Sequence, residues 1–406
     1  MCPQDFEQLR LVHSKKEIHG WWNSIEPHGN RECTSERLLI NPYNGCSHDC
    51  FFCYAHAFPG YFSLFRKHGV ITVFEDFDKV VAKQLDSIRV ASCGYLSPVT
   101  DPFQPINERY QLTEKIMAVF VRRNIPVEVV TKGVISDKAM RLLAEQEHSF
   151  GQVSILTLDE EKRRRMMARG ASTEELIKNI ERLSNRGIFA VCRIDPILPF
   201  ITSQKEELEA LINAVVDAGA SHIISSCLDI PKTMEHEIYE HIEHEFGRET
   251  RKRYEGLYVE EMSGRKHARI EYRRKLFEMV KGICDKKGVT MSLCMEFERI
   301  QSQKGHEMQK SRFEFRGLNQ EFMTSRNCEG IDIPIYVRHV GEGKFSPVEG
   351  CDGNCLRCYY LGKERERERN KCGIEDLGKA GAWKLRDYKR WSKQVLHLRF
   401  KKELAA

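Results

Sequence analysis

Three cysteines, Cys46, Cys50 and Cys53, fall within eight residues directly after the strand-like run Arg37-Leu-Leu-Ile-Asn-Pro-Tyr-Asn-Gly45. Thiolates are soft ligands that suit iron, zinc or copper(I), and gaps of three and two residues let one tight loop wrap several sulfurs around one centre. A four-iron cluster normally takes four cysteines, so a compact set of three with no fourth beside it leaves one iron free of protein. The parallel is the catalytic zinc site, which keeps one position open for a reacting ligand where a structural site is closed. The plainer readings are a zinc knuckle or a redox thiol pair, but a zinc site wants a paired ligand set that this loop lacks.

A second set repeats the spacing at Cys351, Cys355 and Cys358, inside Glu349-Gly-Cys-Asp-Gly-Asn-Cys-Leu-Arg-Cys-Tyr359. Fewer than fifty residues follow it, too few for a second strand–helix series. Here further thiols are near, Cys372 downstream and Cys328 upstream, and four thiolates close a coordination sphere. The set therefore predicts an auxiliary [4Fe–4S] cluster, with zinc as the alternative. Cys372 is the preferred fourth ligand, because thirteen residues separate it from Cys358 and twenty-two separate Cys328 from Cys351, and the shorter loop costs less entropy to close.

The elements that must position these loops are legible from pattern. With 406 residues, 41% hydrophobic and 30% charged, the chain has material for one barrel-sized unit and an appendage. A net charge of +5 permits an acidic partner but is short of a dedicated nucleic-acid footprint. No run approaches the ~18 apolar residues of a membrane span, and the first residues lack a signal-peptide build. The expectation is a cytoplasmic protein without membrane contact, whose fifteen cysteines serve metal binding rather than disulfides.

Short β-branched runs alternate with stretches of helical period from Leu38 onward, the mark of parallel strands joined by crossover helices. Strands are predicted at 38–42, 90–97, 127–131, 152–158, 188–194 and 222–227, and helices at 77–88, 113–123, 137–146, 173–186 and 205–218. Ser136 and Ser172 stand as helix caps, with Glu175 three residues after the second, and Gly187 and Gly219 stand at helix ends. Residues 1–36 read as a lead segment, 37–300 as the barrel with flanking helices, and 301–406 as the cysteine-rich module. The histidines at 241 and 244 read as solvated helix surface, and residues 289–295 as one more strand. Lys363–Arg369 reads as an exposed charged stretch, and Trp383–Lys402 as a docked terminal helix.

The C-x3-C-x2-C spacing, with Phe52 before the last cysteine and Tyr54 after it, resembles the cluster loop of the radical S-adenosylmethionine (SAM) superfamily. Leu96-Ser-Pro-Val-Thr-Asp-Pro-Phe-Gln-Pro-Ile-Asn107, Val130-Thr-Lys-Gly133, Ser154-Ile-Leu-Thr-Leu-Asp-Glu160 and Asn41-Pro-Tyr-Asn-Gly-Cys46 are similar to the branch related to spore photoproduct lyase, over roughly residues 38–230. The resemblance implies an α/β fold, a partial (β/α)6 TIM-like barrel, here with a C-terminal cysteine-rich metal-binding extension. It implies a [4Fe–4S] cluster whose open iron chelates SAM, reductive cleavage to a 5′-deoxyadenosyl radical, and a reductant such as flavodoxin or ferredoxin. It assigns Phe52, Thr100, Asp101, Lys132 and Ser154 to SAM binding. Arg193 is a further carboxylate clamp, because its fork binds at two points. The plainer reading of Asp101 is a turn former before Pro102. Where the lyase has a hydrogen-returning cysteine this chain has Pro98, which leaves Cys93 and Tyr95, on one face of the second strand, as candidates for a hydrogen relay. The plainer reading of Cys93 is a buried core thiol.

The functional expectation is a radical SAM enzyme acting on a nucleic-acid lesion or modified base. The alternatives are a peptide, protein or small-metabolite substrate served by an auxiliary cluster, and a non-catalytic iron–sulfur or zinc protein.

Overall fold

The computed structural model describes residues 8–20, 33–58, 63–301, 313–358 and 383–393. All six predicted strands are present as β1 (Arg37–Ile40), β2 (Cys93–Leu96), β3 (Val127–Thr131), β4 (Phe150–Ser154), β5 (Phe189–Ile197) and β6 (His222–Cys227). The additional strand is β7 (Thr290–Leu293), and the order β7-β6-β5-β4-β3-β2-β1 is parallel throughout. His19–Gly20 adds antiparallel to the free edge of β1. This is the predicted α/β partial barrel, lengthened by one strand.

The crossover helices α1 (Phe77–Asp86), α2 (Leu112–Arg122), α3 (Asp137–Ala144), α4 (Thr173–Ser184) and α5 (Lys205–Asp217) each bury one apolar stripe on the sheet. Close approach depends on small residues in the strands. A Cβ on Gly94 would come within 2.7 Å of the Phe120 ring, and one on Gly151 within 2.6 Å of Leu183. Ser136 accepts from the Ala139 amide, and Ser172 with Glu175 forms a complete capping box. Gly187 and Gly219 take left-handed φ of 68° and 101° beyond α4 and α5.

The structure departs from the expected outline in three places. The second strand breaks at Ser92, and Val90–Ala91 pairs with Tyr336–Val337 instead of with the barrel. The lead is woven into the fold: Gln8–Val12 pairs in parallel with Val70–Phe74. Trp21, Trp22, Lys363–Arg369 and the terminal residues after 393 lie outside the described residues. Between β6 and β7 the chain forms α6 (Glu235–Phe246), a hairpin of Glu260–Met262 with Arg265–His267, and α7 (Ile270–Lys287). The end of the barrel away from the cluster loop is filled by Cys93, Phe150, Val191, Ile224 and Ile333. Trp383, Tyr388 and Trp391 are fully buried, as expected for a docked terminal helix. No helix among the described residues is long and apolar enough to cross a membrane.

Because the capping box satisfies two helix-end donors, Ser172→Ala is expected to lower unfolding stability by about 1 kcal/mol. A chemical denaturation midpoint checks it, and an unchanged midpoint removes the cap from the account.

Candidate functional site

The loop carrying Cys46, Cys50 and Cys53 leaves the C-terminal end of β1, where parallel α/β sheets place their chemistry. Gly45 enters it at φ 94° and Asp49 sits left-handed at 47°. Gln104, fully buried, clamps the turn from the segment after β2: its amide donates to Gly45 O at 3.2 Å, and its oxygen accepts from Ser47 N at 3.1 Å. His48 Nδ1 meets Arg169 O at 3.3 Å, and Phe51 N donates to Met166 O at 3.4 Å. All three loop cysteines are free thiols. Burial pushes each above its ordinary value, Cys50 up to about 12, with the Lys132 ammonium opposing it at Cys50 and Cys53.

Asp101 is at the loop's base. Its Oδ1 accepts from Phe103 N at 2.9 Å and Thr131 Oγ1 at 2.7 Å; its Oδ2 accepts from Lys132 N at 2.7 Å and lies 3.3 Å from His48 Nε2. Both oxygens are spent on protein donors. The structure thus gives this residue the turn-forming part weighed above and adds a second one, in which it anchors the cluster loop to β2 and β3. Of the other residues assigned to SAM, Lys132 faces Cys50 and Cys53, and Thr100 lies beside Asn41, its Oγ1 3.5 Å from Asn41 Oδ1. Phe52 is buried beneath the loop, edge-on to Phe51 at 5.3 Å, and Ser154 is buried at the end of β4.

Arg193 lines the mouth from β5. Its Nη1 donates to Gln152 Oε1 at 2.9 Å, its Nε to Asp195 Oδ2 at 3.2 Å, and its Nη2 to Cys294 Sγ at 3.0 Å. The Ser226 hydroxyl donates to the other Asp195 oxygen. Tyr95 joins this group: burial raises its hydroxyl, opposed by Arg193, with Tyr54 and Cys294 as neighbours. Cys93 does not. It lies two residues earlier on β2, wholly buried in the apolar plug at the other end, so the relay pair divides between the two ends of the barrel. Cys93 is the core thiol of the plainer reading.

Pattern reasoning missed three contributors. Cys294 follows the additional strand. His241, taken for solvated surface, stacks on Phe51 of the cluster loop at 4.1 Å with planes 13° apart. Arg265 of the hairpin stands over the Tyr54 ring at 5.8 Å and pairs with Asp229 at 2.8 Å. On the loop's outer side two clefts, about 540 and 710 Å³, share Asp49, His56 and Glu237. In the second cysteine set, Cys351, Cys355 and Cys358 are described and Cys372 is not. No group of three or more His, Cys, Asp or Glu side chains among the described residues stands in metal-ligating geometry, so the fit to a cluster is judged from the chemistry of the donors. Three free thiols that sense one another, Cys50 buried and Cys46 and Cys53 half-buried, faced by a cation, fit a soft metal centre.

The sequence model of the Radical SAM superfamily matches residues 40–215, from the end of β1 to within α5. The match spans 176 of the 406 residues. Across 387 residues the chain is 26% identical to the radical SAM Nalpha-GlyT isomerase of Pseudomonas phage M6, covering 93% of this chain and 78% of that one. An uncharacterised Mycobacterium tuberculosis protein is 25% identical over 201 residues, 46% of this chain and 57% of its own. Spore photoproduct lyase complexed with dinucleoside spore photoproduct superposes with a TM-score of 0.54 at 13% identity, covering 70% of this chain and 82% of that one. A mutant of that lyase with bound AdoMet and the same dinucleoside gives 0.53 at 13% identity, covering 68% and 79%. These structures share the fold.

Since partners behind ligating residues typically set metal affinity within about 10–100-fold, Asp101→Ala is expected to cut iron affinity of the first loop by at least about tenfold. Iron titration of the folded variant checks it; undiminished affinity shows that the loop does not need its anchor.

Proposed function

We propose that Cys46, Cys50 and Cys53 hold a [4Fe–4S] cluster with one open iron, and that the enzyme rearranges a modified base, free or in nucleic acid, seated over the strand ends. When bound, the reduced cluster cleaves SAM to a 5′-deoxyadenosyl radical that removes hydrogen from the substrate. The observation that carries the reading is the three-thiol loop on the C-terminal end of β1, held to β2 and β3 through Asp101.

The chain's own groups divide the remaining work. Lys132 supplies a cation beside the loop, Thr100 and Ser154 offer short polar contacts suited to ribose hydroxyls, and Phe52 backs the loop. Arg193, held by Gln152, Asp195 and Cys294, offers a fixed cation to a carboxylate. Tyr95 remains the relay candidate on β2. Isomerisation is favoured over lesion cleavage on two grounds. The relative that aligns along 93% of this chain is named an isomerase. An isomerisation also hands the abstracted hydrogen back to the product without a protein thiol, which suits Pro98.

The first step needs an electron donor of flavodoxin or ferredoxin type, and a reduced cluster belongs in a reducing cytoplasm. We also propose a second metal centre at the C-terminal cysteines, a [4Fe–4S] cluster with zinc as the alternative.

Anaerobic reconstitution, reduction and measurement of 5′-deoxyadenosine test the radical reading. Cys46→Ala, Cys50→Ala and Cys53→Ala are each expected to abolish its formation, and undiminished product from any of them refutes the assignment. Turnover of base-modified DNA or nucleosides supports the substrate class; turnover of peptides alone overturns it.

A further inference from the structure

The cluster loop has a counterpart at the opposite end of β1. Residues 350–358 repeat its cysteine spacing, and they share its entry through a left-handed glycine. Gly45 and Gly350 each stand directly before the first cysteine with left-handed φ, 94° and 65°. One more left-handed residue lies between the first and second cysteines of each loop, Asp49 at 47° and Gly353 at 77°. Gly353 has no room for a side chain, since its Cβ would come 2.2 Å from Ile333 O. Asp352 accepts from Asn354 N at 3.0 Å and Asn354 from Arg357 N at 2.8 Å, a turn that brings the Cys351 and Cys358 thiols within electrostatic reach of Cys355.

Two sulfurs also receive backbone donors. Ile335 N donates to Cys351 Sγ at 3.4 Å, and the Glu36 amide donates to Cys355. Hydrogen bonds to a sulfur favour its anionic, metal-ligating form. Cys328 is differently engaged. Its sulfur accepts from Thr34 N at 3.5 Å and Thr34 Oγ1 at 3.4 Å, and the neighbouring thiol it senses is Cys33.

The location decides the role. Leu356 N donates to Thr34 O at 2.9 Å, and Thr34 and Glu36 precede β1, whereas Cys46 follows its far end. Four strand residues at about 3.3 Å each separate the two loops. Around residues 350–358 meet the entry to β1, the segment 326–337 that plugs the barrel, and the terminal aromatic group. Asn327 Nδ2 donates to Asp352 O at 2.9 Å, Asn354 Nδ2 to Arg326 O at 3.0 Å, and the Tyr388 hydroxyl to Glu36.

We propose that Cys351, Cys355 and Cys358 bind a thiophilic metal centre, iron–sulfur or zinc, that staples the floor of the barrel and takes no part at its mouth. This rests on the second centre proposed above and assigns its work. A metal there orders the eight-residue loop to which Thr34 at the entry to β1 and Arg326 and Asn327 of the plug segment are hydrogen-bonded, so its binding energy acts as folding energy.

Metal analysis, thermal melting and 5′-deoxyadenosine formation on the reconstituted full chain decide it. Two iron–sulfur centres give about eight irons per chain, and zinc at the floor gives about four irons and one zinc. Cys355→Ser is expected to lose the second metal and to lower Tm by on the order of 5–10 °C. Below that temperature it should keep SAM cleavage within about twofold, as distant sites act independently. A wild-type chain with only the first centre's metal refutes the second centre. Loss of the second metal without a change in Tm refutes the staple. Loss of SAM cleavage in a folded variant with the first cluster's spectrum intact refutes its separation from the mouth. The chain bearing Cys46→Ala, Cys50→Ala and Cys53→Ala together should retain the second metal, which separates failure here from failure of the radical reading. Should Cys355→Ser not fold, stripping the second metal from the folded wild-type chain with a chelator and reading Tm gives the same decision.

Discussion

One carboxylate holds the catalytic end together. Asp101 is buried, and burial alone would raise its pKa; the His48 ring and the donors of Lys132 and Thr131 outweigh that and keep it below the ordinary carboxylate value. A carboxyl lowered on folding contributes stability at pH above its unfolded value and loses it as pH falls through the folded one. The cluster loop is therefore coupled electrostatically to two barrel strands. Lys132 is positioned by the same interaction, since its amide is one of the donors. The cation that faces the thiols and the loop that carries them thus share one anchor.

Behind this anchor a chain of polar side chains runs through the barrel beside the apolar plug. Arg37 pairs with Glu329 and approaches Glu128 at 3.5 Å; Glu128 meets Gln152 at 3.5 Å, and Gln152 holds Arg193 at 2.9 Å. Burial and Glu329 push Glu128 well up, with Arg37 opposing. Buried ion pairs of this kind add little net stability against an apolar filling. Their effect is directional, because a guanidinium fixed by Gln152 on one side and Asp195 on the other presents a single face to the mouth.

The parts legible in the sequence were those written in local pattern. The spacing of the thiols marked both loops, β-branched runs marked the parallel strands, and Ser172 with Glu175 marked a helix start, because each signal is complete within a few residues. What the pattern lacked was partners far along the chain. His241 lies on a helix of interleaved charges that reads as surface, yet its ring rests on Phe51, 190 positions earlier. Asp101 reads as a ligand or a turn former until its four partners are placed around it. Cys93 and Tyr95 share a strand face, as the two-residue period requires, but the barrel is deep enough to put one in the plug and the other at the mouth.

The insertion between β6 and β7 completes the site by walling it. A radical of the kind proposed above must be kept from water, and a barrel of seven strands is open on one flank. α6 brings His241 against the cluster loop, Glu237 pairs with Arg66 at 2.6 Å, and the hairpin sets Arg265 over Tyr54 beside Cys53. The exposed pairs among these add little stability by themselves. The wall stands because α6 and α7 bury Ile238, Ile242, Phe277 and Val280 in the common core, which leaves the polar contacts free to shape the mouth. Under the proposed function, substrate selection and shielding of the radical therefore fall to the same segment, which one face fixes to the barrel core while His241 meets the cysteine loop.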